Sequence, residues 1–210
     1  YINFFLDKNK LAKKIILQIL REKDKFGSTK EGQRKTIVID MSSPNIAKPF
    51  GLGHLRSTII GNAIAKTASF QGYKVIKLNY LGDWGTPFGK IIAGYKKWGD
   101  KKKLEQNPTK HLYEIYVRAS QDSLMEEEGR QVFKKLEEGD KATLSLWKKF
   151  RDLSIHEFDK LYKLMNIKFE VMTGESAYNN KMQPIINELK KKNLLKESEG
   201  ALIVNLEEYN

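Results

Sequence analysis

The sequence predicts an α/β fold, a parallel sheet split by a mainly helical insertion. Three stretches carry that prediction. "TIVIDM" (Thr36–Met41) and "YKVIKLNYL" (Tyr73–Leu81) are short, apolar and rich in β-branched residues, as buried strands are. The interval between them holds one helix length, so the three form a βαβ unit with a right-handed crossover. Beyond "GDWGTPFG" the pattern turns helical from about Lys90 to Asn166.

The remaining elements follow in chain order. Residues from about Asp7 to Lys25 form an amphipathic helix, with Leu11, Ile15, Ile16 and Ile19 on one stripe and lysines opposite. "FGSTKEGQRK" is a polar connector. The helix after the first strand runs from about His54 to Phe70 and stops at Gly72. In the helical stretch, "WGDKKK" and "EEGDK" are charged turns, and Leu146, Phe150, Leu153, Phe158, Leu161 and Leu164 recur at helical spacing. "KFEVM" then reads as a strand, "TGES" as a turn, "NNKMQPIINELKKKNLL" as a helix carrying a proline, and "ALIVNL" as a closing buried strand. The organisation expected is 1–34 helix and linker, 35–89 first half of the sheet domain, 90–166 helical insertion, and 167–210 the return toward the sheet.

Composition narrows the function classes. Forty per cent of the 210 residues are hydrophobic, enough for a sizeable core. With no cysteine, a disulfide framework and cysteine-ligated zinc are excluded, and a reducing, cytoplasmic setting is expected. No apolar run reaches the ~18 residues of a membrane span, and no secretory leader is expected. Lysine and arginine total 38 against 26 acids, a formal charge of +12, which favours a polyanionic partner, nucleic acid first. A solvated lysine-rich surface without function is the competing reading of that charge. The chain opens on Tyr1 and closes on "GALIVNLEEYN", an apolar run with nothing after it to cover it, and both are expected of a piece of a longer protein.

"SSPNIAKPFGLGHLRSTIIG" (Ser42–Gly61) lies on the turn between the first strand and the first helix of the βαβ unit. Ligands of open parallel sheets bind at the carboxyl ends of strands, and a helix N-terminus attracts anions. Gly51 and Gly53 let backbone N–H groups approach phosphate, Pro44 and Pro49 stiffen the approach, and His54 at the helix start can donate to a phosphoryl oxygen. Lys48 adds a mobile positive charge, and Ser43 and Asn45 offer small polar contacts for an amino or carboxylate group. Neither a Walker A loop nor a GxGxxG fingerprint is present. On spacing alone, a glycine-rich helix entry with a histidine cap stays open.

The segment resembles the HIGH-type signature of class I aminoacyl-tRNA synthetases, most closely the arginyl-tRNA synthetases, whose "SSPNIAKP", HxGH core, "LRST" and "IIG" have counterparts here. "LNYLGDWGTPFG" is similar to that family's "NYLGDWGTQFG", with Pro87 in place of Gln, and "GESAYNNKM" and "GALIVNLEEY" follow in the same order. The resemblance implies a Rossmann-type (HUP-like) nucleotide-binding domain split by a connective insertion. It also implies ATP-dependent formation of arginyl adenylate and transfer of arginine to tRNA. ATP, L-arginine and the cognate tRNA would be the partners, magnesium would come with ATP, and the enzyme would be a monomer. The implied ATP-binding residues are Lys48, Gly51, Gly53 and His54. Those for arginine are Ser43, Asn45, His54 and Glu175, the last receiving the guanidinium. His54 and Lys48 are the implied catalytic pair, and no residue is assigned to a metal. Gly51 departs from the family pattern: it replaces the first histidine of HxGH, removes one phosphate donor and increases the load on His54 and Lys48. The KMSKS-type loop and the anticodon-binding domain are expected beyond Asn210.

Two other classes stay open, a non-catalytic synthetase-like RNA-binding protein and a class I synthetase of different amino-acid specificity. His111 and His156, in charged helical stretches, are expected at the surface or half-buried. Trp84 is expected to pack a corner with Asp83 hydrogen-bonding the turn, contact of Asp83 with ligand or the tRNA end being the alternative, and Trp98 and Trp147 to join the core. Taken without the resemblance, Glu175 is a turn or N-cap acid. Arg56 is either a helix-surface residue or a phosphate contact.

Overall fold

Strand β1 (Thr36–Asp40), helix α2 (Leu52–Phe70) and strand β2 (Lys74–Leu81) form the βαβ unit in the computed structural model, which describes residues 1–198 and 200–206. β1 and β2 pair in parallel from Thr36↔Lys74 to Asp40↔Leu78. A third strand, β3 (Val171–Gly174), pairs in parallel with the far side of β2 from Leu78↔Val171 to Leu81↔Gly174. The sheet order is therefore β1-β2-β3, and the carboxyl ends of all three strands lie along one edge.

Five helices separate β2 from β3: α3 (Thr86–Trp98), α4 (Lys101–Gln106), α5 (Pro108–Gln121), α6 (Leu124–Glu137) and α7 (Lys141–Leu164). Their starts follow from local chemistry. Asp100 accepts the N–H groups of Lys102 and Lys103, Asn107 that of Lys110, and Asp140 that of Thr143 at 2.8 Å, each satisfying helix-start donors that would otherwise be bare. α3 crosses α6 at Gly89 and Gly129. A Cβ on Gly89 would strike the Gly129 carbonyl, and one on Gly129 would strike Lys90, so the crossing needs glycine on both helices. Lys90 and Glu126 close the same crossing as an ion pair.

The core lies between these helices and the strand ends. Ile91, Ile92, Leu104, Leu112 and Phe158 join one buried cluster with Ile46, Ala47 and Leu81 from the sheet side. Each such side chain contributes about 1.5–3 kcal/mol of burial. The helical stretch thus packs directly on the loop that follows β1.

The flanking elements bury little. Helix α1 (Lys8–Glu22), capped by Asp7, has no buried residue, so its apolar stripe faces solvent. It ends at Glu22, where a 3₁₀ turn (Lys23–Lys25) takes over from the helix expected to reach Lys25. Ile59, Ile60 and Ile64 on α2 and Val38 on β1 are also exposed.

Three expectations for the carboxyl part are corrected. β3 is Val171–Gly174, not Lys168–Met172. Asn166 turns the chain (φ 52°), and the Glu170 N–H bonds the Lys77 carbonyl at 3.0 Å, so ladder pairing begins only at Val171. Thr173 and Gly174 of the expected turn belong to that strand, and a 3₁₀ turn, Glu175–Lys181, follows. Helix α8 spans Met182–Lys191, shorter than expected. Pro184 falls in its first turn, where no N–H partner is needed, and left-handed Asn193 (φ 54°) ends the segment. The chain then forms a hairpin absent from the sequence reading, β4 (Leu195–Ser198) against β5 (Ala201–Val204). β5 is exposed at all four residues, so the closing strand is not a buried one. The last four residues of the expected closing segment, 207–210, lie outside the described residues. Among the described residues, no helix is long and apolar enough to cross a membrane.

Candidate active site

Between β1 and α2 the backbone takes an uncommon path. Ser42 (φ 77°), Ser43 (φ 47°) and Ala47 (φ 58°) all occupy the left-handed region, where side chains other than glycine are strained. Their surroundings hold them there. The Ser42 hydroxyl bonds the Tyr162 hydroxyl at 2.7 Å, and Tyr162 also accepts Asn79 Nδ2 at 3.1 Å. Asn79 Oδ1 in turn accepts the Ser43 N–H at 3.1 Å, and Ser43 Oγ donates to Asp40 at 2.9 Å. The Ile46 N–H bonds the Gly82 carbonyl and the Gly82 N–H bonds that of Pro44, bridging Asn45 to the end of β2. On the other side, Ser154 Oγ accepts the Ala47 N–H at 2.9 Å. Burial pushes the Tyr162 hydroxyl pKa up, while its bonds to Ser42 and Asn79 pull the other way, so at neutral pH it stays a protonated strut.

The helix begins at Leu52, two residues before the expected start, because extended Gly51 serves as N-cap and His54 folds back on it. The Gly51 N–H donates to His54 Nδ1 at 3.1 Å. With Nδ1 accepting, a neutral imidazole carries its proton on Nε2 and can donate it outward. The ring leans on Phe50, centroids 5.5 Å apart. No acid lies in the first turn of α2, so the N-terminal dipole is unopposed there. A Cβ on Gly53 would meet nothing within 4 Å, so packing does not require glycine; the space is open in front of the helix. Lys48 lies over the Tyr116 ring of α5, its Nζ 4.7 Å from the centroid.

The end of β3 supplies the opposite charge. Asp83, just after β2, is fully buried, and its carboxylate accepts Arg151 Nε at 3.0 Å, the Ser176 N–H at 2.9 Å and Ser176 Oγ at 2.8 Å. Its carbonyl accepts Trp147 Nε1 at 2.8 Å. Asp83 thus fastens β3 and α7 rather than bonding its own turn, as the sequence reading had it. Trp84 does pack a corner, edge-on to Phe133 and Trp147. Glu175 is exposed, and its Oε2 accepts the Trp84 N–H at 3.2 Å. Tyr80 stacks near Tyr178. Its hydroxyl pKa is raised by burial first, then by Tyr178, Glu175, Asp83 and Asp40.

Ser43, Asn45, Lys48, Gly51, Gly53 and His54 therefore lie on one fastened segment, and Glu175 lies at the carboxyl end of β3 on the same sheet edge. What places Glu175 is the Trp84 amide, not the signature segment. His111 is corrected: it is buried, and its Nε2 accepts the Asp100 N–H at 3.0 Å, a helix-packing role. His156 and Arg56 are exposed. Trp98 and Trp147 pack against the core while partly exposed. Asp40, Asn79, Arg151, Ser154 and Tyr162 were not singled out from the sequence. One signal was available for two of them. Phe150, Ser154, Phe158 and Tyr162 recur every fourth residue on the buried face of α7, and a polar group inside such a stripe needs a partner.

Comparison with known proteins places the chain in a family. The family model described as "tRNA synthetases class I (R), catalytic domain" matches residues 15–210. Curated relatives named arginine–tRNA ligase include those of Clostridium perfringens, 49% identical, and Clostridioides difficile, 50% identical; each match covers 100% of this chain and 38% of the relative. The chain thus spans 38% of the length of those relatives. Among solved structures, the arginyl-tRNA synthetase of Plasmodium falciparum superposes with a TM-score of 0.67 at 29% identity, over 96% of this chain and 36% of that one. That of Thermus thermophilus superposes with a TM-score of 0.65 at 21% identity over 96% of this chain and 34% of that one, a likeness of fold. With the model covering nearly the whole chain and a Rossmann-type parallel sheet carrying the signature loop, the chain belongs to the class I arginyl-tRNA synthetase catalytic-domain family.

Proposed function

We propose that this chain supplies the arginine- and ATP-facing part of an arginine–tRNA ligase. The observation that carries the reading is the polarity of one sheet edge: a helix N-terminus with an outward imidazole N–H after β1, and a carboxylate after β3. The first suits a triphosphate, the second a guanidinium. In the activation step, a carboxylate oxygen of arginine attacks the α-phosphorus of ATP. An O–P bond forms, the bond to the bridging oxygen breaks, and pyrophosphate leaves. His54 Nε2–H and Lys48 face the charge gathering on the phosphate oxygens, Gly51 and Gly53 leave room for them, and Ser43 and Asn45 orient the amino acid's backbone groups. Glu175 pairs with the guanidinium. In the second step, a ribose hydroxyl of the terminal tRNA adenosine attacks the acyl carbon and AMP leaves. Position and electrostatics suffice, without a covalent enzyme intermediate. Magnesium enters with the ATP phosphates, and no protein ligand is assigned to it.

The reading also divides the chain as 1–34, 35–89, a connective insertion at 90–166, and 167–210. Lys48 lies over the ring of Tyr116, so the signature loop and the insertion meet at that residue. The test is arginine-dependent exchange between ATP and pyrophosphate by a full-length enzyme of the relatives' size that carries this chain. Exchange with arginine but not lysine is expected. Absence of exchange, with RNA binding retained, would replace this reading by that of a non-catalytic RNA-binding protein. The isolated chain is expected not to charge tRNA.

A further inference from the structure

We infer that Arg151, on α7, is a positioning residue for amino-acid selection: paired with buried Asp83, it fixes the turn that presents Glu175 without itself touching substrate. This rests on the reading of Glu175 as the guanidinium acceptor.

Glu175 is exposed, so packing does not set its geometry. Its neighbours do. Gly174 lies directly against the Asp83 carboxylate, where a Cβ would collide, and Ser176 gives Asp83 both its N–H and its hydroxyl. Glu175 is therefore strung between two residues fixed by one buried carboxylate, and the Trp84 amide next to Asp83 orients its side chain.

A fully buried carboxylate left without a compensating cation is costly. Arg151 is the cation that ion-pairs with Asp83 among the described residues, and Trp147, four residues earlier on α7, holds the Asp83 carbonyl. Helix α7 thus grips this residue by side chain and backbone. Arg151 has a second consequence. An unpaired carboxylate beside Glu175 would attract a substrate guanidinium, or a lysine ammonium, to the wrong place. Arg151 neutralises it from within, leaving Glu175 as the outward-facing acid of this turn. A planar bidentate pair tolerates displacements of only about 0.5 Å, so a loosened turn lowers arginine affinity before it affects ATP.

The experiment is a cycle in the full-length enzyme, reading ATP–pyrophosphate exchange against both substrates for R151A, R151K, E175Q and R151A/E175Q. R151A is expected to raise arginine KM about tenfold with ATP KM within about twofold. R151K, which keeps the charge but loses the directed Nε–H, should fall between. In the E175Q background R151A should add less than about twofold, because it acts through Glu175. An equal rise in both backgrounds overturns the inference, as does a lowered Tm with both KM values unchanged. If R151A does not fold, R151K and D83N complete the cycle with the same criteria. An arginine KM raised by E175Q but not by the Arg151 variants overturns only the positioning role. An arginine KM unmoved by E175Q overturns the reading of Glu175 as well.

Discussion

The rim after β1 and the rim after β3 share an edge of the sheet but are constructed differently. Residues 42–54 reach their shape through three left-handed non-glycine residues, held by hydrogen bonds from β2 and α7, and end in a helix start whose donors face outward. Gly174 ends an ordinary extended strand, Glu175 and Ser176 open a 3₁₀ turn, and the three owe their position to one buried carboxylate. The difference is one of redundancy. Ser42, Ser43, Ile46 and Ala47 each have their own anchor, so the loss of one leaves the others. The turn at Glu175 hangs largely on Asp83. On the proposed function, a rim facing a spread-out polyphosphate can rely on many weak restraints, whereas one facing a single planar cation needs a single well-placed group.

That contrast ranks the substitutions. The largest loss is expected for D83A, which leaves the Ser176 donors and Arg151 without their carboxylate. Urea unfolding should show a drop of about 3–5 kcal/mol, the range for breaking a buried pair from one side. A drop within 1 kcal/mol would mean that the turn has anchors besides Asp83. Next is H54A, which removes the donor that the proposed function sets against developing phosphate charge. Adenylate formation should slow by about 10²–10³-fold, with the fold intact. A rate near wild type would reduce His54 to a cap for Gly51. Smaller is Y162F, which deletes one strut from the better-anchored rim. A stability loss of about 1–3 kcal/mol is expected from the bonds left unmade to Ser42 and Asn79, with arginine KM little changed.

The least local prediction concerns acid. The Asp140 pKa is held below its usual value chiefly by the Thr143 hydroxyl bond, that of Asp100 by the Lys103 N–H, and that of Glu126 by the bond from Lys90. Groups whose folded pKa is depressed contribute stability that is complete above the unfolded pKa, about 3.9 for aspartate and about 4.3 for glutamate, and is lost as pH falls through the folded value. All three lie in the helical stretch that carries α7, so Tm should be steady from pH 7 to about 5 and decline below. D140N should show a shallower decline. An unchanged acid limb in D140N would assign the loss to other carboxylates.

Much of this was legible in the sequence, for identifiable reasons. β1 and β2 were visible because both are short apolar runs rich in β-branched residues, although Val38 of β1 is exposed, and the loop between them because it gathers glycines, prolines, a lysine and a histidine at a helix start. β3 was misplaced by three residues because its register depends on Glu170 meeting Lys77, a contact across 93 residues. β4 was hidden because a lysine-rich run following a helix reads as more helix. The anchors were the least legible. Asp83 meets Arg151 and Ser176 across 68 and 93 residues, and Tyr162 meets Ser42 across 120, so no local pattern announces them. Amphipathicity also misled at α1, whose stripe is periodic yet unburied, since periodicity shows that a helix can bury a face and not that it does.

The central claim is the division of labour between the rims, and E175Q set against H54A in one enzyme tests it most directly. E175Q keeps the size of the side chain and removes its charge. A charge-assisted bond of about 1.5–3 kcal/mol should be lost, raising arginine KM roughly 10- to 150-fold, weakening discrimination against lysine and citrulline, and leaving ATP KM within about twofold. H54A should give the converse, a slowed chemical step with arginine KM near wild type. Matching changes in both substrates for both variants, or an arginine KM in E175Q equal to wild type, would contradict the account.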